Sequence, residues 1–271
     1  MSIVAVTGDH PRHVYLVKQI EKTGLLSGWV RERREAFIPE PDPSLSNSMR
    51  ELFVHHFTRR DEAERSAFGS VSDSLIACPV LDVTLDTLNS QSTVDFISSR
   101  QPNFLISYGC HKLEPHILAS HNGYSWNCHG GLSPHYRGVH THFWPSYMLE
   151  PQMTGMTLHE TTADIDGGGI IHQSGVTLVR GDGLHDLACR SVKEFAEQLP
   201  DVLLRAAKHS GSIRGIQQKT TGRLWTAGMW RPEHLVPIYE HYNDNIVDYC
   251  LEGKIIGRSQ NLTKIEFLLQ G

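Results

Sequence analysis

Two short apolar runs, each cut off by a glycine, constrain this chain more than any other feature. Ser2 to Thr7 reads SIVAVT and stops at Gly8, and Phe104 to Tyr108 reads FLISY and stops at Gly109. Runs this apolar, with little polar alternation, mark parallel strands buried between two helical layers. Val14, Leu16, Val17 and Ile20 follow the first run at helical spacing, and Leu26 to Val30 is a second strand. Ser44 to Phe68 is a long helical stretch that sets Leu52, Phe53 and Phe57 among charges, introduced by Pro39, Pro41 and Pro43. Leu85 to Ser99 carries a mixed helical pattern before the FLISY strand. Strands alternating with helices at this spacing predict an open, twisted, mostly parallel sheet with helices on both faces.

Such a Rossmann-like α/β sheet takes its ligands beyond the carboxyl ends of its strands. From Met153 to Leu178 two β-rich runs, GMTLHET and GIIHQSGVTL, flank the turn DIDGGG. Asp182 to Lys208 then forms a long amphipathic helix, with Leu184, Leu187, Val192, Phe195, Leu199, Val202 and Leu203 on one stripe. Beyond His209 the pattern shortens to Arg214 to Gln217, Arg223 to Trp225, a helical Pro232 to Glu252 and a hairpin-like pair around Lys254 to Leu269. The expected organisation is a catalytic domain over 1–209 and a small C-terminal subdomain over 210–271.

Composition removes several function classes. The 25 basic and 30 acidic residues leave a net charge of -5, so no global positive field exists to hold nucleic acid. The local cluster Arg31, Arg33, Arg34 reads as a solvated face. No uncharged apolar run approaches the ~18 residues of a membrane span, and MSIVAVTGDH lacks a basic leader, so neither membrane insertion nor secretion is expected. Cytoplasmic residence follows as the expectation. Five cysteines (Cys78, Cys110, Cys128, Cys189, Cys250) are odd in number and lack CxxC spacing, which argues against disulfides and zinc knuckles. His135, His140 and His142 lie close together without a carboxylate or cysteine at ligand spacing, so no metal is expected.

Chemistry concentrates between Asn127 and Gly169. Asn127 and His129 are two apart, so an extended backbone puts both side chains on one face, with Cys128 pointing away. An amide donor beside an imidazole suits a reaction that develops negative charge on a carbonyl oxygen. Asp166, in the DIDGGG turn, is placed to meet His129 across a pocket. A carboxylate there would favour the protonated ring, making His129 an oxyanion donor and a proton source.

The pattern N-x-H followed by P-x-Y-x-G, and then a D-x-D-G-G turn, resembles the folate-dependent formyltransferases, most closely from Phe104 to Val176. The resemblance implies Asn127, His129 and Asp166 as the three catalytic positions, with Asp164 the next candidate for the carboxylate. It implies attack of a substrate amine on the formyl carbon of N10-formyltetrahydrofolate, a co-substrate. The pterin would enter between the loops matched by Tyr108 to Leu113 and Thr161 to Ile165. Tyr108, His111, Leu113, Thr162, Ala163, Asp164 and Ile165 occupy those positions, with Leu118 close behind.

Within the family, N-x-H-G-G-L-S-P-x-Y-R-G and the downstream F-W-P are most similar to the sugar-nucleotide branch. Glycinamide ribonucleotide enzymes carry a Gly- and Asn-rich phosphate loop after the first strand, where this chain has Arg12 and His13. Methionyl-tRNA enzymes add a larger, basic C-terminal barrel. The implied partner is a nucleotide-linked amino sugar of the GDP- or dTDP-4-amino-4,6-dideoxy type, serving surface polysaccharide of the lipopolysaccharide O-antigen kind. Arg12, His13, Tyr136 and Arg137 are the candidate substrate contacts, since a diphosphate favours arginine. Alternatives are glycinamide ribonucleotide or another small amine, hydrolysis of the formyl donor, and a noncatalytic binder. Trp225, Trp230 and Leu235, in a segment similar to the tail of some amino-sugar formyltransferases, fit either homodimerisation or packing onto the main core.

Overall fold

The computed structural model describes residues 1–33, 38–69, 76–219 and 222–269; Arg34 of the basic cluster lies outside them. The strands and helices follow in the order β1 (Ile3–Thr7), α1 (Pro11–Glu21), β2 (Leu26–Glu32), α2 (Asn47–Phe68), β3 (Val80–Val83), α3 (Gln91–Ser98), β4 (Phe104–Tyr108), α4 (Pro115–Leu118) and β5 (Tyr124–His129). They continue as β6 (Tyr136–Gly138), α5 (Trp144–Tyr147), β7 (Gly155–Glu160), β8 (Ile170–Gly175), α6 (Leu184–Lys208), β9 (Arg223–Trp225), α7 (Ile246–Leu251) and α8 (Ile265–Leu268). Seven strands form one sheet in the order β3-β2-β1-β4-β5-β7-β8. The first five run parallel, as expected, and β7 and β8 add an antiparallel hairpin at the β5 edge.

The period of two along the buried strands divides the core between the two sheet faces. Ile3 and Ala5 of β1 pack with Phe104, Ile106, Trp126 and Cys128 beneath α1 and α6, where Phe195, Leu199 and Leu203 complete the layer. Val4, Val6, Val30 and Leu105 face the opposite side and meet Ile97 on α3, Ile117 on α4 and Leu113 in the loop before α4. The side chains flanking Cys128, Asn127 and His129, therefore fall on the face away from α6. Strand order reverses between β1 and β4, and the loops after β1, β4 and β5 open at the same end of the sheet. Among the described residues no helix is long and apolar enough to cross a membrane.

Beyond α6 the short elements differ from the expected pattern. The stretch expected to be helical from Pro232 to Glu252 is three pieces, Pro232–His234, Pro237–His241 and α7. Asn243 and Asp244 take positive φ between the last two, which a continuous right-handed helix excludes. No strand forms between Lys254 and Leu269, where the chain is irregular until the single turn of α8. Trp225 stacks on Trp144 at 4.1 Å and 15°, and Leu235, Ile238 and Ile246 share a cluster with Leu132, Tyr136 and Leu184. Trp225 and Leu235 thus bury their surface inside the chain, and β9 pairs in parallel with β6.

This packing predicts that Trp225→Ala lowers stability by about 3–5 kcal/mol, the usual cost of removing a buried tryptophan side chain. A urea midpoint shift worth less than about 1 kcal/mol would show that β9 is not anchored through this stack.

Candidate active site

The site begins with a strand pairing. Strand β7 runs antiparallel to β5 and sets His159 opposite Asn127 and Thr157 opposite His129. After β7 the chain turns through the D-x-D-G-G loop and returns as β8. Asp166 holds φ at +48, a left-handed conformation that aspartate and asparagine tolerate better than most side chains. A side chain at Gly168 would collide with the Glu160 carbonyl, so the loop closes tightly over the end of β7. Gln218 donates to the carbonyls of Asp166 and Gly168, both at 2.7 Å, and Ile216 bridges to Ile170. The segment following α6 therefore secures the turn.

These constraints bring Asp166 against His129. Asp166 Oδ2 accepts the Gly138 N–H at 2.8 Å and lies 3.3 Å from His129 Nδ1, while Oδ1 lies 3.3 Å from His159 Nε2. His129 Nε2 donates to the Tyr136 carbonyl at 2.7 Å. His159 Nδ1 donates to the Glu160 carbonyl at 2.8 Å, and its Nε2 lies 3.2 Å from the Asn127 amide nitrogen. With one proton, the His159 ring accepts from that amide. The other end of the amide is fixed by Ser107, whose hydroxyl donates to Asn127 Oδ1 at 2.9 Å. One Asn127 N–H is then left for a ligand. His159 and Ser107 carry no motif in the sequence, because their roles depend on strand register.

Two opposing influences set the electrostatics of His129. Burial lowers the pKa of His129 below its ordinary value of 6.5, and this outweighs the raising effect of Asp166; His159 and Arg137 add to the lowering. Burial thus works against the charged ring, while the Asp166 carboxylate and the Tyr136 carbonyl, both acceptors, favour it. The His129 Nε2 proton faces the Tyr136 carbonyl, and Nδ1 faces the carboxylate. Burial also opposes ionisation of Asp166, but His129, His159 and the Gly138 N–H prevail and bring its pKa down to about 2.

The remaining sequence-selected residues have varied surroundings. Tyr108 is buried at the end of β4, with its ring edge-to-face against His13. Leu113 and Leu118 belong to the α3/α4 side of the core, while half-buried His111 contacts Glu32. Thr162, Ala163, Asp164 and Ile165 are exposed, and Lys112 reaches the Ala163 carbonyl at 3.4 Å. Arg12 pairs with Glu64 at 2.5 Å. His13 is buried and its Nδ1 accepts the His10 N–H at the start of α1. Tyr136 turns its hydroxyl to Glu150 and buries its ring, so it presents its carbonyl to the site. Arg137 is half-buried near Gly167. Burial raises the Cys128 pKa on the core-facing side of β5. Among the described residues no group of three or more His, Cys, Asp or Glu is arranged to hold a metal.

Asp166→Asn retains a residue suited to positive φ while removing the charge. A carboxyl depressed from 3.8 to about 2 contributes stability that is fully present above 3.8 and lost as pH falls through 2. The substitution should cost about 2 kcal/mol near pH 7, with the gap in urea midpoint narrowing as pH falls below 3.8. A gap independent of pH would contradict the ionic account.

Comparison with known proteins bears on the family and the fold. The family model described as formyl transferase matches residues 58–203, a span containing Asn127, His129 and Asp166. A phosphoribosylglycinamide formyltransferase from Anaplasma phagocytophilum shares the fold with a TM-score of 0.54 and 18% identity, over 83% of this chain and 97% of that one. A 4-N formyltransferase from Francisella tularensis aligns with a TM-score of 0.52 and 15% identity, over 84% of this chain and 77% of that one. A sugar N-formyltransferase from a Shewanella species gives 0.51 and 14%, over 84% and 78%. With more than half its length matched by the family model, the chain belongs to the formyl transferase family.

Proposed function

We propose that this formyltransferase moves the formyl group of N10-formyltetrahydrofolate onto the amino group of a nucleotide-linked amino sugar of the GDP- or dTDP-4-amino-4,6-dideoxy type. The observation that carries the chemical part of the reading is the convergence of Asn127, His129 and Asp166 at the end of β5, with His159 Nε2 lying between the amide and the carboxylate. The choice of amine rests on the sugar-nucleotide resemblance and on the loop after β1. There Arg12 is paired with Glu64 and His13 is a buried helix-start residue, in place of a glycine-rich phosphate cradle. Glycinamide ribonucleotide remains the rival amine, being the substrate class named for the Anaplasma relative.

In this mechanism the free Asn127 N–H donates to the formyl oxygen as the amine nitrogen adds to the formyl carbon and the oxygen becomes an oxyanion. Neutral His129 accepts, at Nδ1, the proton that the attacking nitrogen loses, directly or through water. Asp166 lies beside that nitrogen and stabilises the charged ring. The same proton passes to the folate nitrogen as its bond to the formyl carbon breaks, so the protein ends each cycle unchanged. Tyr136 O keeps the Nε2 proton in place and thereby selects Nδ1 as the basic nitrogen.

Two measurements test this reading. Incubating the purified protein with N10-formyltetrahydrofolate and a panel of GDP- and dTDP-linked amino sugars beside glycinamide ribonucleotide should give one formylated sugar nucleotide by mass spectrometry. Formylation of glycinamide ribonucleotide alone, or formate release with no formylated amine, would overturn it. In the pH profile of kcat/KM, the acid limb belonging to His129 should lie below 6.5, and Asp166→Asn should move it lower, because the carboxylate raises the ring's pKa. Asn127→Ala should lower kcat by about 100- to 1000-fold. An acid limb above 6.5, or wild-type turnover in Asn127→Ala, would contradict these roles.

A further inference from the structure

A fully buried carboxylate stands at the end of β2, outside the chemistry just described. Glu32 has no exposed surface and lies one strand from β1 on the sheet, across from Val83 of β3. Its Oε2 accepts the His111 backbone N–H at 2.8 Å, and its Oε1 lies 2.6 Å from His111 Nδ1. One carboxylate thus holds both the main chain and the side chain of a residue in the loop between β4 and α4. A carboxylate removed from water is retained only where such bonds replace its hydration.

The same loop has a second attachment. Asn89 donates to the Lys112 carbonyl at 3.0 Å and accepts the Glu114 N–H at 2.8 Å. Gly109, at φ +61, turns the chain out of β4, so the segment from Gly109 to Glu114 is held at its bend and at three successive points beyond it. Its far side reaches the D-x-D-G-G loop through Lys112 and the Ala163 carbonyl. These are the two loops between which the family resemblance places the formyl donor. A loop that is fixed before its ligand arrives binds that ligand more tightly, because less ordering is left to be done on binding.

We infer that Glu32 is a positioning residue for the formyl donor: it sets the main chain of the loop from Gly109 to Glu114 through His111, without touching the reacting atoms. The inference rests on the proposed folate-binding reading of these loops. Its consequence is selective. Donor affinity depends on Glu32, whereas the chemical step, organised on β5 to β8, and the binding of the amine do not.

Binding of 5-formyltetrahydrofolate, a stable isomer of the donor, to the full-length protein by isothermal titration provides the test. Glu32→Gln keeps the shape but loses the charge on the bonds to His111, and affinity should fall about tenfold. Donor KM should rise in parallel, with kcat at saturating donor and amine KM within about twofold of wild type. His111→Ala removes only the half-exposed ring from the contact and leaves the buried position intact, so it reads the same effect at smaller size if Glu32→Gln folds poorly. Rescue of affinity in Glu32→Asp beyond that of Glu32→Gln would further mark the charge as the operative feature. Unchanged donor affinity in both Glu32→Gln and His111→Ala, or an equal fall of kcat and donor affinity, would overturn the positioning role. Failure of the wild-type protein itself to bind the probe would instead remove the folate reading, and this inference with it.

Discussion

The antiparallel pairing of β5 with β7 is the constraint on which the site depends. In the parallel part of the sheet Ser107 of β4 stands beside Asn127 and fixes only the oxygen end of its amide. Reversing direction at β7 puts His159 directly opposite it and carries the following turn back over the end of β5. That return is what brings Asp166 within 3.3 Å of His129. A slip of one residue in this pairing would exchange His159 for a neighbour of opposite facing and separate the amide from the carboxylate. The bridge at Ile216 and the two bonds from Gln218 oppose such movement from outside the hairpin.

Burial then determines the protonation of the cluster. A carboxylate beside an imidazole is ordinarily read as an ion pair, and each partner does favour the charged form of the other. The two groups nevertheless respond differently: Asp166 gains a backbone N–H and two ring neighbours and stays ionised, while His129 loses more from desolvation than one carboxylate restores. In the proposed mechanism His129 is a neutral base with a ready counter-charge. Such an arrangement suits transfer from an amine, which must shed a proton as it adds to the formyl carbon.

Much of this was legible in the sequence, and the limits are physical. The parallel sheet could be read because SIVAVT and FLISY are apolar on both faces, and the division of Asn127 and His129 from Cys128 follows from the period of a strand. The D-x-D-G-G turn identified Asp166. What sequence could not supply was register: His159 is an ordinary residue in GMTLHET until it is known to stand across from Asn127. Glu32 closes a strand whose other residues serve the core, and its contact lies far away at His111. The segment after Pro232 was misread as a helix because its apolar spacing is helical, while the positive φ of Asn243 and Asp244 interrupts it. For a related reason a motif names the carboxylate beside His129 but not the depth of burial that opposes its effect.

The central claim is that His129 is neutral and carries its proton on Nε2. Nitrogen-15 NMR of the histidine-labelled protein measures this directly, with the His129 signals assigned by their loss in His129→Asn. The account predicts a neutral ring at pH 7 with a protonated Nε2 and an unprotonated Nδ1, the latter titrating only below 6.5. A ring protonated on both nitrogens at pH 7 would contradict it and return His129 to the role of a charged oxyanion donor.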